Sequence, residues 1–219
     1  MKNVMARRFV MNTVAVILLT SLLTACIPLI VGGAVVGGTL VANDRRTSGA
    51  QLEDEGIELR STSRIRSNVG DRVHVNVSSY NRQVLLTGEV PTTQDKLLVE
   101  QIISRVENVS SVVNELAVMG SSSLTQRSSD VLVTGRVKAM LVDAKDLFAN
   151  SFRVVTERGT TYLMGRVTQR EADRGTAVAR GTPGVQKVVR IFEIISEEEL
   201  ARQLPTPAKP PAARPATAN

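Results

Sequence analysis

The feature that most constrains the fold of this chain is an internal repeat. The segment "VHVNVSSYNRQVLLTGEV" ends at Val90, and "FRVVTERGTTYLMGRV" ends at Val167. Each reads strand, tight turn, strand. Each carries a glycine two residues before its end, Gly88 and Gly165, 77 residues apart. Self-similarity of this length specifies two copies of one small domain rather than a solenoid.

In the first copy, Val73, Val75 and Val77 alternate with His74, Asn76 and Ser78. Period two is the signature of a half-buried strand. Tyr80-Asn81-Arg82 makes the turn. Pro91 and Thr92 open a helix whose apolar stripe is Leu97, Leu98, Ile102, Val106 and Val109. Residues 111–118 close the copy as a strand. Upstream, Leu52 to Asn68 forms a weaker helix, with Ile57 and Ile65 on one face and Ser61 between them. In the second copy, the spacing predicts a leading helix over 130–148, a hairpin over 152–157 and 160–167, and a second helix over 168–181. "TPGV" (182–185) breaks the chain before a last strand at 186–195. Each copy is therefore helix, strand, strand, helix, strand. This is an α+β fold with the helices covering one face of a small three-stranded sheet.

The leading helix of the second copy carries a core stripe of Val133, Val137, Met140, Leu141, Ala144 and Phe148 at about 100° per residue. Val131 and Leu132 project away from it, just after a capping group at Ser129 or Asp130. Exposed aliphatics beside Arg127, Arg136 and Lys138 suit an interfacial membrane contact. The alternative is a frayed helix end packed against the other domain. Charge bears on the partner of such a contact. Residues 51–119 hold seven basic and ten acidic residues, net −3, whereas 121–195 hold twelve and seven, net +5. The duplicated domains differ in sign, and the second is suited to an anionic partner. Acidic phospholipid headgroups fit, at about 1 kcal/mol per basic residue near the surface. Drift on solvated surfaces is the bland alternative.

No catalytic constellation is visible. The only histidine, His74, falls on the polar face of a strand and reads as exposed. One His and one Cys give no triad and no structural zinc set. No phosphate-binding glycine loop is present. Asp54 and Glu55 are adjacent and read as solvated. Gly88 and Gly165 are explained by close packing or strand twist. No metal and no cofactor are implied, and the chain reads as a non-enzyme.

The N-terminus has the layout of an export signal. Lys2, Arg7 and Arg8 precede an apolar run from Phe9 to Leu23, and small residues lead to Cys26, the only cysteine. "Leu23-Thr24-Ala25-Cys26" resembles the bacterial lipobox, which implies acylation of Cys26 and stable anchoring. Ile27 stands where that family places aspartate for inner-membrane retention, which implies delivery to the outer membrane, facing the periplasm. The expected organisation is signal peptide 1–25, lipidated N-terminus and glycine-rich tether 26–50, domains 51–119 and 120–195, and an extended, disordered proline- and alanine-rich tail 196–219.

The repeated unit resembles the BON domain family. The carriers are "VLLTGEV" and "TYLMGRV", each ahead of a helix, and the ends "VENVSSVVNEL" and "TPGVQKVV". With the lipobox and the "DRRTSGAQ" linker (44–51), the chain is similar to the tandem-BON outer-membrane lipoproteins. That resemblance implies binding of anionic phospholipid, phosphatidylglycerol or cardiolipin, by the second domain. It also implies a role in envelope integrity and division-site remodelling. In that family the leading helix of the second domain carries an aromatic membrane-inserting residue, and the matching position is Leu132. A periplasmic adaptor for outer-membrane assembly or division proteins, including cell-wall amidase regulators, is the alternative. Its face would be the acidic first domain or the seam between domains. Nucleic acid is not an expected partner.

Overall fold

The computed structural model of the chain describes residues 44–203. Cys26, the export signal and most of the tether and tail lie outside them. Both copies fall within one compact unit. The first contains α1 (Ser48–Val69), β1 (His74–Tyr80), β2 (Gln83–Val90), α2 (Thr93–Ile103), β3 (Ser111–Asn114) and β4 (Ala117–Val118). The second contains α3 (Leu124–Asp143), β5 (Phe152–Glu157), β6 (Thr160–Thr168), α4 (Gln169–Gly181) and β7 (Lys187–Ile195), followed by α5 (Glu197–Gln203). Short 3-10 turns precede β1 and β5.

The expected order of elements holds in both copies. β1 pairs antiparallel with β2, and β3 and β4 pair parallel with β2 as one interrupted edge. β5 pairs antiparallel with β6, and β7 runs parallel to β6 over its whole length. Each βαβ crossover lays its helix on the same sheet face as the leading helix. Ile57, Ile65, Val84, Leu86, Val99 and Ile103 close the first core. Val137, Leu141, Val154, Leu163, Val167 and Ala179 close the second. A fully buried aliphatic side chain contributes about 1.5–3 kcal/mol of transfer free energy.

Both hairpins turn in two residues with positive φ. The pairs are Asn81 (49°) and Arg82 (67°), and Arg158 (49°) and Gly159 (71°). These are type I′ turns, whose twist matches that of the strands. Arginine is a poor occupant of left-handed backbone. A buried aspartate from each leading helix compensates. Asp54 accepts the backbone N–H groups of Asn81 and Arg82 at 2.8 Å each. Asp130 accepts those of Arg158 and Gly159 at 2.8 and 3.0 Å. Asp54 is therefore not solvated as expected. It is 2% exposed, and it also receives the Ser79 hydroxyl and the Arg46 guanidinium. Its neighbour Glu55 does face solvent.

Gly88 and Gly165 mark close backbone approaches. A Cβ at Gly88 would lie 2.1 Å from the carbonyl oxygen of His74, and Gly88 sits at φ 111°. A Cβ at Gly165 would lie 2.4 Å from the carbonyl oxygen of Ser151. Both positions demand glycine.

The two sheets pack face to face. Tyr80 and Leu85 of the first meet Tyr162, Met164 and Ile191 of the second, with Val113, Val155 and Val189 around them. The polar face of β1, which alternation assigns to solvent, is the face the second domain covers. Ser78 is consequently buried and His74 half-buried. The stripe of α2 also differs from expectation: Val99, Ile103 and Asp95 point inward, and Leu97 is exposed. Thr92 caps the helix, and Leu97 lies about 200° around its axis from the buried Val99, so the two cannot share one face. Two boundaries shift as well. α1 begins at Ser48, capped by Thr47, inside the stretch assigned to the tether. α5 occupies the start of the segment read as an extended tail, with Leu200 buried.

Asp54→Ala strands two turn N–H groups and Arg46. It is expected to cost about 3–5 kcal/mol, the scale for breaking a buried charge pair. Glu55→Ala is expected to stay within about 0.5 kcal/mol. Urea denaturation of the two variants beside the parent checks the contrast.

Candidate lipid-facing site

The leading helix of the second domain starts six residues earlier than its pattern suggested. Ser123 caps it, accepting from the backbone N–H of Gln126, and neither Ser129 nor Asp130 does so. Asp130 points inward to the turn at 158–159 instead. The helix stops at Asp143, because Ala144 leaves helical backbone at φ −75°, ψ 89°. Met140 and Phe148, expected in the core, are exposed, and Leu147 is buried in their place.

The shift changes where Val131 and Leu132 sit. They lie mid-helix, not at a frayed start, and are 70% and 62% exposed. At 100° per residue they share the outer face with Leu124, Ser128, Gly135, Ala139 and Val142, all exposed and only Ser128 polar. Leu124 to Val142 spans about 27 Å of helix at 1.5 Å per residue. α3 is thus apolar on two sides: one closes the core and the other faces outward. Lys138 borders the outer stripe on one side and Arg136 on the other, both exposed. Lys138 has no ion-pair partner among the described residues. Arg136 reaches the Pro183 carbonyl oxygen at a long 3.5 Å. Arg127 is half-buried and donates from Nε to the Ser122 hydroxyl at 3.1 Å. The structure therefore brings Val131, Leu132, Arg136 and Lys138 to one outward surface and turns Arg127 partly away. Asp143 is the only exposed acid on the helix.

The described chain enters beside this helix. Asp44 and Gln51 share the wall of a groove of about 480 Å³ with Lys138, Leu141 and Val142 of α3. Two arginines fix that entry. Arg45 donates two bonds to the Glu171 carboxylate, at 2.6 and 2.7 Å, and one to the Arg166 carbonyl oxygen at 3.0 Å. Its guanidinium also lies 5.7 Å from the centre of the Phe148 ring, which is 37% exposed. Arg46 bonds to Asp44 and Asp54 and stacks over Tyr80 at 4.2 Å. One arginine grips the second domain and the next grips the first. Sequence reasoning placed both in a linker, and nothing in their local pattern distinguishes them from one.

Burial alone would raise the Glu171 carboxyl. The hydrogen bonds from Arg45 and from the Thr168 N–H outweigh it and hold the group below the ordinary carboxylate range. Asp54 is also depressed, burial being overcome by the Ser79 hydroxyl, the turn N–H groups and Arg46. Glu157 goes the other way: burial raises it, and the Asn76 amide only partly offsets this.

The described residues contain no helix long and apolar enough to cross a membrane. The BON domain family matches twice, at residues 53–120 and 129–195. The chain belongs to the BON domain family. Among curated relatives, it is 35% identical over 179 residues to the outer membrane lipoprotein DolP of Haemophilus influenzae, covering 80% of this chain and 92% of that one. It is 29% identical over 154 residues to a 21 kDa hemolysin of Actinobacillus pleuropneumoniae, covering 69% and 79%. Among solved structures, the C-terminal domain of CdsD, a structural protein of the Chlamydia trachomatis type III secretion system, aligns over 63% of this chain and 96% of its own. Its TM-score is 0.28 at 13% identity, too low to carry an argument.

Glu171→Gln tests the Arg45 contact through pH. A carboxyl with a depressed folded pKa contributes stability that is full above its unfolded value, about 4.3. That contribution fades as pH falls through the lower folded value. The stability gap between parent and variant in urea titrations is expected to be largest near pH 7 and to narrow below about pH 4.

Proposed function

We propose that this chain is a lipid-anchored outer-membrane protein, acylated at Cys26 and facing the periplasm, whose second BON domain binds anionic phospholipid through the outer face of α3. The observation that carries this reading is the exposed apolar stripe of α3 between Lys138 and Arg136. Aliphatic side chains on a helix lying along a bilayer bury into the headgroup boundary, and flanking basic residues meet the acidic headgroups. The net positive charge of the second domain supports the same target. Phosphatidylglycerol and cardiolipin are the proposed ligands.

Acylation strengthens the reading. Anchoring at Cys26 turns the α3 contact into an intramolecular one and raises its effective concentration. The position of Asp44 beside the C-terminal half of α3 favours contact with the membrane that holds the anchor. The relative named DolP in Haemophilus supports the outer-membrane placement. The proposal includes a role in envelope integrity and in division-site remodelling. The seam between domains offers less to a protein partner than the sequence suggested, because the shared core of Tyr80, Leu85, Tyr162 and Met164 fills it.

Sedimentation with phosphatidylglycerol vesicles tests the reading, using full-length protein carrying Cys26→Ala. Leu132→Glu is expected to weaken binding at least tenfold, since it places a charge where an apolar group enters the interface. Lys138→Glu removes one favourable charge and adds a repelled one, for a loss of about 1–2 kcal/mol. Equal binding to phosphatidylcholine vesicles would remove the anionic preference. Equal binding by Leu132→Glu would remove α3.

A further inference from the structure

At the rim of the seam, three strands bring together three metal-ligating side chains: His74 of β1, Glu89 of β2 and Glu157 of β5. One ligand atom from each lies within 4.8 Å of the others. His74 and Glu89 are cross-strand partners in the first domain. Glu157 closes the β5 hairpin of the second. A cavity of about 350 Å³ opens beside them, lined by His74, Asn76, Arg127, Asp130 and Glu157 among others.

The partners of these groups do not balance their charge. Glu89 is almost fully buried. Its Oε1 takes the Arg158 guanidinium at 3.1 Å, and its Oε2 takes His74 Nδ1 at 2.9 Å and the Ser122 hydroxyl at 3.3 Å. Glu157 is 5% exposed. Its Oε2 accepts only the Asn76 amide, at 2.9 Å, while its Oε1 has no hydrogen-bond partner and the carboxylate no cation among the described residues. Asp130, on the same cavity wall, has both oxygens committed to the 158–159 turn and to Gln126. Arg127 is turned to Ser122. Among the described residues, the one guanidinium bonded to this pair of buried carboxylates, that of Arg158, serves Glu89 alone. A buried carboxylate without a compensating positive charge is costly.

We propose that His74, Glu89 and Glu157 form a divalent-cation site of the zinc type that ties the two domains together. An imidazole with two carboxylates is a nitrogen–oxygen set suited to zinc rather than to magnesium or calcium. His74 Nδ1 and Glu89 Oε2 are hydrogen-bonded at 2.9 Å, and a small opening to about 3.3 Å sets them as two ligands of a tetrahedral ion bonded at about 2.0–2.1 Å. A carboxylate oxygen of Glu157 supplies the third ligand, and the cavity leaves room for water in the remaining positions. Arg158 and Ser122 hold the Glu89 carboxylate in place, as outer-shell partners do. Because the ligands come from both domains, the ion bridges the seam. Val131 and Thr134 of α3 also line that cavity, but none of the three ligands lies on α3, so the ion site does not rest on the lipid contact.

Full-length protein with Cys26→Ala, which removes the only thiol, is stripped with chelator and titrated with Zn²⁺. Thermal unfolding and calorimetry follow binding, and Co²⁺ serves as the absorbing probe. Zn²⁺ is expected to raise Tm by at least about 4 °C at saturation. Glu157→Gln, which keeps the shape and the Asn76 contact, is expected to weaken Zn²⁺ binding at least tenfold. His74→Ala is expected to abolish the Co²⁺ ligand-field bands that a nitrogen–oxygen site gives. Glu55→Gln controls for surface carboxylates and must bind like the parent. An unchanged Tm with Zn²⁺, or equal affinity in Glu157→Gln, overturns the site and leaves a proton as what neutralises Glu157.

Discussion

The fold depends on one interaction made twice. A buried aspartate on each leading helix accepts both N–H groups of the type I′ turn that joins the first two strands of its sheet. The turn needs positive φ at two positions, and both hairpins place an arginine at one of them. Left to itself, each turn would be poor. Asp54 and Asp130 make it tolerable and, in the same contact, fix the helix axis against the hairpin. Core residues such as Ile57 and Val137 then fall over the sheet. The aspartates are 76 residues apart and the turns 77, so the duplication preserved this contact while surface charge diverged to opposite signs.

The second organising constraint is that neither sheet has a free face. Helices cover one side of each, and the sheets cover each other. This explains why polar groups are gathered at the seam. Asn76 meets Glu157, Arg158 meets Glu89, and Asn81 meets Glu193 across it, around an apolar centre. The outward apolar stripe of the second domain's leading helix lies outside both cores and outside the seam.

Much of this was legible in the sequence. Element order, both hairpins and the two close-packed glycines follow from repetition and from period two. The outward placement of Val131 and Leu132 follows from helical spacing alone. The start of the helix does not, for a specific reason. Ser129-Asp130 looks like a cap, but Asp130 serves a turn distant in sequence, and no local pattern reports a partner 28 residues away. His74 was misplaced because alternation describes a sheet with one wet face. The correcting signal lies in Val84-Leu85-Leu86 and Tyr162-Leu163-Met164, three apolar residues in a row rather than alternating, as expected of central strands covered on both sides. The Arg45 and Arg46 contacts had no such signal, because they depend on where Glu171 and Asp54 arrive in space.

Those two arginines have a mechanical consequence. Any tension reaching the fold from its N-terminal side enters at residues 44–47. There Arg45 is clamped to a helix of one domain and Arg46 to a helix and a tyrosine ring of the other. A load applied at that point is divided between the domains before it can peel either away. The strap thus acts as a strain relief, in the sense of a cable gland, and spares the hydrogen-bonded seam from being opened like a zipper at one end.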